Sequence, residues 1–460
     1  MSTSISSSRL TGLTLLIAIA FFIEQLDSTI AVTAIHNIAN SLSVQATTIT
    51  MAMAIYLMTL AIFLPVGGWL AKNYGCKPPL LFSIVLFVVG SLGCGLSTNI
   101  SMFMGSELIQ GIGGALMVPV GRLFVIQNSP KEDLARRISI LIWPGLVAPI
   151  FGPSLGAFIT TYYSWHWIFF INVPIALCLL ALVFYFLPTD NREVTRSDFD
   201  WLGFFLSTGT LTLGLGCLDW LSDFGVDSAL PWGLLIGSVL FGAMLVAHIK
   251  KSLHPIVSVE SWIRDDNFKW TLVAGSFCRC AVSGLPILIP LYLQSELGLS
   301  LIMSGNIILV MFVGNFLMKP FTTKILSRFG FKKPLILASI ISSLAIIGCS
   351  TSMNDIHSIY IMLFLVGAMR SLQFSLYSTL AFSELPKKLL NGANVLNNLS
   401  SQIAFSVGIA LISVFMSLGG GLPSASMNSA ALPFYGLAFI GLVPLLFLRM
   451  IQKNYGNSVR

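Results

Sequence analysis

Charge is what this 460-residue sequence has least of. Asp, Glu, Lys and Arg together make up 9% of it, against 55% hydrophobic residues and a mean hydropathy of +0.88. A water-soluble domain carries about a quarter of its residues as charges, so this composition excludes one and predicts an all-α polytopic membrane protein. Long polar segments are also missing. Apolar runs of roughly 20 residues recur about fourteen times, and the connections between them are too short for a folded soluble domain. Cysteine is scarce and scattered: the seven fall in apolar runs or at their edges, and Cys278 and Cys280 point to different helix faces. That pattern supports neither a disulfide framework nor a metal site. No nucleophile, base and orienting group stand together, so the sequence does not read as an enzyme and implies no cofactor.

The most informative absence is on one set of loops. The connections near 40–46, 99–101, 161–165, 220–230, 294–299, 351–355 and 419–430 contain no Lys or Arg. The others do: Lys72–Lys77, Lys131–Arg137, Arg192–Arg196, Lys250–Lys269, Lys324–Lys333, Lys387–Lys388 and the tail from Arg449. With Arg9 inside, this alternation satisfies the positive-inside rule and predicts that both termini are cytoplasmic. The net charge of +7 then belongs to the cytoplasmic face, and nothing suggests a nucleic-acid partner.

What charge remains is placed where it is expensive. Glu24 and Asp27 are three residues apart near the middle of the first span, on one helix face. Glu107 lies in the fourth span, and Arg279 and Arg370 lie mid-membrane in the second half. Intramembrane ionisable groups are costly unless paired, protonated or hydrated, so they are the candidate functional residues, with a structural ion pair as the plainer alternative. A polar stripe of Asn394, Asn398, Ser401 and Gln402 runs along the thirteenth span at helical spacing. It reads equally as helix–helix glue or as cavity lining.

The sequence also repeats. Asn73-Tyr-Gly-Cys-Lys-Pro-Pro-Leu80 lines up with Arg328-Phe-Gly-Phe-Lys-Lys-Pro-Leu335, which implies two homologous halves. Six spans in each half leave two as an insertion. The expected division is a six-helix bundle over 1–190, two inserted helices with flanking loops over 191–267, and a second six-helix bundle over 268–460. At the spacing of the repeat, Arg279 is the counterpart of Glu24, so an interaction between the acids of one half and the arginines of the other is expected in at least one state.

Several stretches carry a family resemblance. Ala148-Pro-Ile-Phe-Gly152-Pro153-Ser-Leu-Gly156-Ala157, preceded by Gly145, resembles the antiporter signature G-x-x-x-G-P-x-x-G-G. Prolines and glycines at this density fit a bent, tightly packed membrane helix, and a packing seam without further function is the competing reading. Leu26-Asp27-Ser-Thr29-Ile30 resembles the start of the first-span motif L-D-x-T-I-V-N-V-A-L-P, with Val32 and His36 departing from it. Gly68-Trp-Leu-Ala-Lys72-Asn-Tyr-Gly75-Cys-Lys77 resembles the loop G-x-L-A-D-R-x-G-R-R, with Lys72 in place of the acid, and Arg328 and Gly330 stand in its echo. Glu107-Leu-Ile-Gln110-Gly111-Ile-Gly-Gly-Ala115 resembles R-x-x-Q-G-x-G-G-A, with Glu107 in place of the arginine. Trp165-His-Trp-Ile-Phe-Phe-Ile-Asn172-Val-Pro174 resembles W-R-W-I-F-x-I-N-x-P and reads as an interfacial aromatic anchor, with His166 a weaker candidate for pH sensing.

Together these stretches resemble the major facilitator superfamily, and within it the 14-span drug:proton antiporters of the EmrB/QacA subfamily. The resemblance implies a major facilitator fold and alternating access, with a small molecule exported in exchange for protons across a bacterial inner membrane. Partners would be the substrate, protons and the bilayer, with either a periplasmic adaptor or no further protein, the chain acting as a monomer. Asp27, Glu107 and Glu24 are then the expected proton-coupling residues. Arg279, Arg370, Asn394, Asn398 and Gln402 are expected in the substrate cavity. Gly145, Gly152, Pro153, Gly156, Gly68, Lys72, Gly75, Arg328 and Gly330 are expected in packing and gating. Asp27 and Glu107 both fall in the outer half of the membrane by residue count, where two carboxylates would share one space. The departures at Lys72, Glu107, Val32 and His36 keep open a second reading, a dedicated carrier of one metabolite, siderophore or lipid. A non-transporting receptor or scaffold is the remote third.

Overall fold

In lipid, a backbone has no water to bond with, so each spanning segment must satisfy its own N–H and C=O groups, and helices do this. The computed structural model describes residues 7–129, 133–188, 198–224, 228–252, 255, 259–351, 355–386, 389–418 and 431–452, and among them the regular elements are all helical. Thirteen of these segments are long and apolar enough to cross a membrane. A fourteenth apolar stretch, Leu432–Leu448, is shorter and broken. Lys131, Lys387, the loop 419–430 and the charges at Arg192–Arg196 lie outside the described residues.

The chain divides into two compact units, 1–199 and 200–460. In the first, α1 (Ser7–Ile30) runs through a short 3-10 turn at Ala31–Ala34 into α2 (Ile35–Leu42). It is followed by α3 (Ala46–Tyr74), α4 (Lys77–Gly95), α5 (Ile100–Asn128), α6 (Leu134–Tyr162), α7 (His166–Phe170) and α8 (Asn172–Phe186). The 29 residues of α3, α5 and α6 each reach about 43 Å, enough for the hydrocarbon core and both interfaces. Ile17, Ile23, Phe87, Val120 and Phe124 anchor the core of this unit.

Glycine decides how closely these helices approach. A Cβ on Gly113 of α5 would collide with the backbone of Ser83 and Phe87 on α4. On α6, a Cβ on Gly156 would strike the carbonyl of Ile30, and one on Gly152 or Gly145 would strike Thr29 or Phe21 of α1. Thr33 adds a bond from its Oγ1 to the Pro153 carbonyl at 3.2 Å. The proline–glycine stretch is therefore a close seam between α6 and α1, against the segment that holds both first-span acids.

The second unit opens with α9 (Trp201–Phe224) and α10 (Ala229–Lys251). Asp200 stitches this pair: its Oδ1 caps the Gly203 N–H at 2.9 Å and meets His248 Nε2 at 2.7 Å. Then come α11 (Glu260–Arg264), α12 (Asp266–Ser283), α13 (Leu285–Ser295), α14 (Leu301–Phe329), α15 (Lys332–Thr351), α16 (Ile356–Phe382) and α17 (Leu390–Leu418). The last elements are α18 (Leu432–Leu442) and α19 (Pro444–Leu448). Leu326, Leu335, Leu372, Leu376 and Tyr377 build its core. The same tactic of close approach recurs, with Gly367 of α16 against the Met311 carbonyl of α14 and Gly408 of α17 against the Cys280 carbonyl of α12.

The internal echo is visible in the backbone. α3 ends at Gly75 with φ +76°, and α14 ends at Gly330 with φ +70°. Both turns need a left-handed residue, and glycine takes that conformation without steric cost. Lys72 and Arg328 lie in the last turn of the respective helices, with their side chains exposed. Gly68 is exposed with open space around it; its neighbour Gly67 makes the contact instead, against the Leu116 backbone.

Candidate functional site

In the first unit, Glu24, Asp27 and Glu107 are all buried, between 5% and 7% exposed. Asp27 is held by two amides. Gln110 Nε2 donates to Asp27 Oδ1 at 2.8 Å, and Asn172 Nδ2 donates to the same oxygen at 2.6 Å. Both bonds land on Oδ1, which leaves Oδ2 without a hydrogen bond among the described residues. Gln110 also donates to Ser91 Oγ at 2.9 Å and accepts from Cys94 Sγ at 3.5 Å. One glutamine on α5 thereby ties α1 to α4, while Asn172 brings in the start of α8. Neither amide was singled out from the sequence as a site residue, although an amide in an apolar span needs a polar partner.

Glu24 accepts from the Gln25 amide at 2.7 Å. Tyr56 of α3 is 3% exposed, and its hydroxyl is buried with no hydrogen-bond partner. That hydroxyl lies within electrostatic reach of Asp27, Glu24 and Glu107, and Glu107 within that of Asp27. Tyr56 Oη and Glu24 Cγ flank the same face of Gly114. The three acids and this tyrosine share one buried electrostatic field in the first unit. No Lys or Arg pairs with any of them among the described residues.

The second unit holds the opposite sign. Arg279 Nη2 donates to Asn397 Oδ1 at 3.3 Å, and its guanidinium lies 5.7 Å from the centre of the Phe374 ring. Arg370 sits 5.2 Å from the same ring and 6.0 Å from Phe312. Its Nε and Nη1 are buried without a hydrogen-bond partner. Behind them Gln373 repeats the pattern of Gln110: it donates to Ser339 Oγ on α15 at 3.1 Å and accepts from Cys278 Sγ on α12 at 3.1 Å.

The start of the polar stripe on α17 also carries the partner of Arg279. Asn397, not Asn394 or Asn398, is the partner of Arg279; Asn394 and Asn398 are half-buried, and the Gln402 Oε1 is buried without a partner. The aromatic stretch has two kinds of tryptophan. Trp165 is 5% exposed, stacked on His166 at 3.8 Å and packed edge-on against Phe103 and Phe169. Trp167 is the exposed indole. The tryptophan that packs inward sits next to a segment whose Asn172 must reach Asp27, and it fixes that segment.

Long apolar helices, glycine-lined seams and unpaired charges buried at mid-span define a polytopic transporter, in which charge is kept inside the bilayer only where it is used. The chain belongs to the Major Facilitator Superfamily, whose family model matches residues 17–409. It is similar to the putative multidrug resistance protein MdtD of Serratia proteamaculans, with 32% identity over 406 residues, covering 87% of this chain and 84% of that one. The putative multidrug resistance protein MdtD of Citrobacter koseri is 30% identical over 453 residues, covering 96% and 95%. Among solved structures, an auto-inhibited POT family peptide transporter superposes with a TM-score of 0.70 at 14% identity, covering 96% and 97%. A POT family transporter in complex with a thioalcohol conjugated peptide gives 0.71 at 14%, covering 96% of each chain. These two likenesses are of fold.

Proposed function

We propose that this transporter is a proton-coupled exporter of amphipathic small molecules, working by alternating access in a bacterial inner membrane with both termini cytoplasmic. The similarity to multidrug resistance proteins supports export of drug-like compounds. The observation that carries the proton assignment is Asp27. A carboxylate buried in an apolar span, with two amide donors on one oxygen and the other oxygen open, is built to take up and give back a proton. Glu107 and Glu24 share its field with no Lys or Arg paired to any of them among the described residues, so bringing a positive charge near would favour release.

Arg279, Arg370, Asn394, Asn398 and Gln402 belong to the substrate path in this proposal. Gly145, Gly152, Pro153 and Gly156 form the seam whose shift moves α6 against the proton site. Gly68, Lys72 and Gly75 at the end of α3, and Arg328 and Gly330 at the end of α14, are the gating turns of their own units in this proposal. A dedicated carrier of one metabolite, siderophore or lipid is the second reading. It is favoured by the unpartnered arginine of the second unit, because a site tuned to neutral or cationic drugs has no use for it.

Substrate-driven proton flux in proteoliposomes tests the assignment. Asp27→Asn abolishes coupled flux, and Glu107→Gln lowers its stoichiometry or moves its pH dependence. If both variants keep the wild-type stoichiometry and pH profile, the protons travel elsewhere.

A further inference from the structure

The four helices α12, α14, α16 and α17 carry Arg279, Lys319 and Arg370 well inside their spans. Their one carboxylate is Asp266, at the start of α12, and it already pairs with Lys269 at 3.4 Å. Lys319 is within electrostatic reach of Arg370 and is exposed at the surface of its unit. Arg279 has one long bond, to the neutral Asn397 amide. Arg370 has aromatic faces on two sides and buried nitrogens bonded to nothing. Cation–π contact with Phe374 and Phe312 offsets part of the desolvation of a guanidinium, but it leaves the N–H donors unused. A buried cation with idle donors is strongly destabilising unless an anion supplies the missing acceptors.

We propose that this cluster is an oxyanion site, and that the substrate class includes organic anions with a carboxylate or phosphate head and an aromatic or aliphatic body. The head accepts from Arg370, with Arg279 and Lys319 adding charge, and the body lies against the half-buried Phe374. Guanidinium is suited to this because its planar fork matches the two oxygens of such a head, which an ammonium cannot do. The inference rests on the proposed function in placing these residues on the substrate path, and it narrows what travels along that path.

The test is equilibrium binding to the purified full-length protein in detergent, by calorimetry, with no gradient imposed. Three probes share one ring system: 1-naphthoate, 1-naphthyl phosphate and the neutral 1-naphthamide. Wild type should bind at least one of the two anions about tenfold more tightly than the amide, and the tighter of them names the preferred head. Arg370→Gln should remove that preference, Arg370→Lys should keep part of it, and Lys319→Gln should weaken anion binding about threefold. Should Arg370→Gln fail to fold, chloride titration on the wild type decides: rising salt must weaken the anions and leave the amide unchanged. Equal binding of all three probes, or an anion preference that survives Arg370→Gln or is insensitive to salt, overturns the proposal. Anion binding without proton flux would defeat the coupling assignment and leave this one standing. Proton flux without anion preference would do the reverse.

Discussion

Glu107 and Arg370 stand in the same register: each lies one helical turn before the glutamine that ties its own unit together, Gln110 on α5 and Gln373 on α16. Each glutamine donates to a serine on the preceding long helix and accepts from a cysteine thiol. What differs is the charge a turn away, an acid in the first unit and a base in the second. The scaffold of the repeat is kept while its ionisable groups are exchanged for opposite ones.

The two glutamines are therefore expected to matter unequally. Gln110→Leu strips a donor from Asp27 and another from Ser91, leaving buried polar atoms unsatisfied. It should cost about 2–3 kcal/mol and alter coupling as well. Gln373→Leu loses bonds to a hydroxyl and a thiol and should cost about 1 kcal/mol. Thermal unfolding of the purified variants, run beside proton flux, checks both. Equal losses with unaltered coupling in Gln110→Leu would mean the glutamine only packs.

At Gly156 the expected effect is steric. A methyl group there meets the Ile30 carbonyl, a backbone atom that cannot move aside alone. Gly156→Ala should lower the melting temperature and slow transport, and Gly156→Leu should prevent stable assembly. Gly68→Ala, at a position with open space, is the control and should leave stability unchanged. A stable, fully active Gly156→Leu protein would show that α6 does not approach α1 this closely.

Sidedness is checked by chemistry on intact cells. With single cysteines introduced in a cysteine-free background, an impermeant thiol reagent should label Ser424→Cys and Asp223→Cys, and should spare Arg9→Cys, Lys131→Cys and Lys387→Cys. The basis is the confinement of Lys and Arg to alternate loops. The reverse labelling pattern would invert the topology.

Asp355 caps α16 just outside its apolar span. It accepts from Ser358 Oγ at 2.6 Å and from the His357 N–H at 3.1 Å. These bonds, the Ser358 hydroxyl first, hold its carboxyl below the ordinary carboxylate range. Because its folded value is the lower one, its contribution is fully present above the unfolded carboxylate value near 4 and fades as pH falls through the folded value. Asp355→Ala should thus lower thermal stability at about pH 7 and have less effect at about pH 3. An equal effect at both values would remove the cap from the account.

Much of the fold was legible in the linear sequence. Long apolar runs have one structural solution in lipid, because the cost of exposing a backbone to hydrocarbon does not depend on neighbours. The candidate site was partly legible too: an acid or arginine in an apolar span is conspicuous, so Glu24, Asp27, Glu107, Arg279 and Arg370 stand out from composition and position as candidates. The glycines and prolines of 145–157 likewise announced a close helix approach without saying to what.

Only the tertiary structure decided who touches whom. Gln110, Asn172, Tyr56 and Asn397 look like ordinary polar residues until α1, α3, α4, α5 and α8 pack in one unit and α12 and α17 in the other. The same holds for the two tryptophans of 165–167, of which the packing buries Trp165 and exposes Trp167. Hydrophobicity is a local property that the chain carries residue by residue. A hydrogen bond between side chains 145 positions apart depends on helix rotation and crossing, which no short stretch of sequence contains.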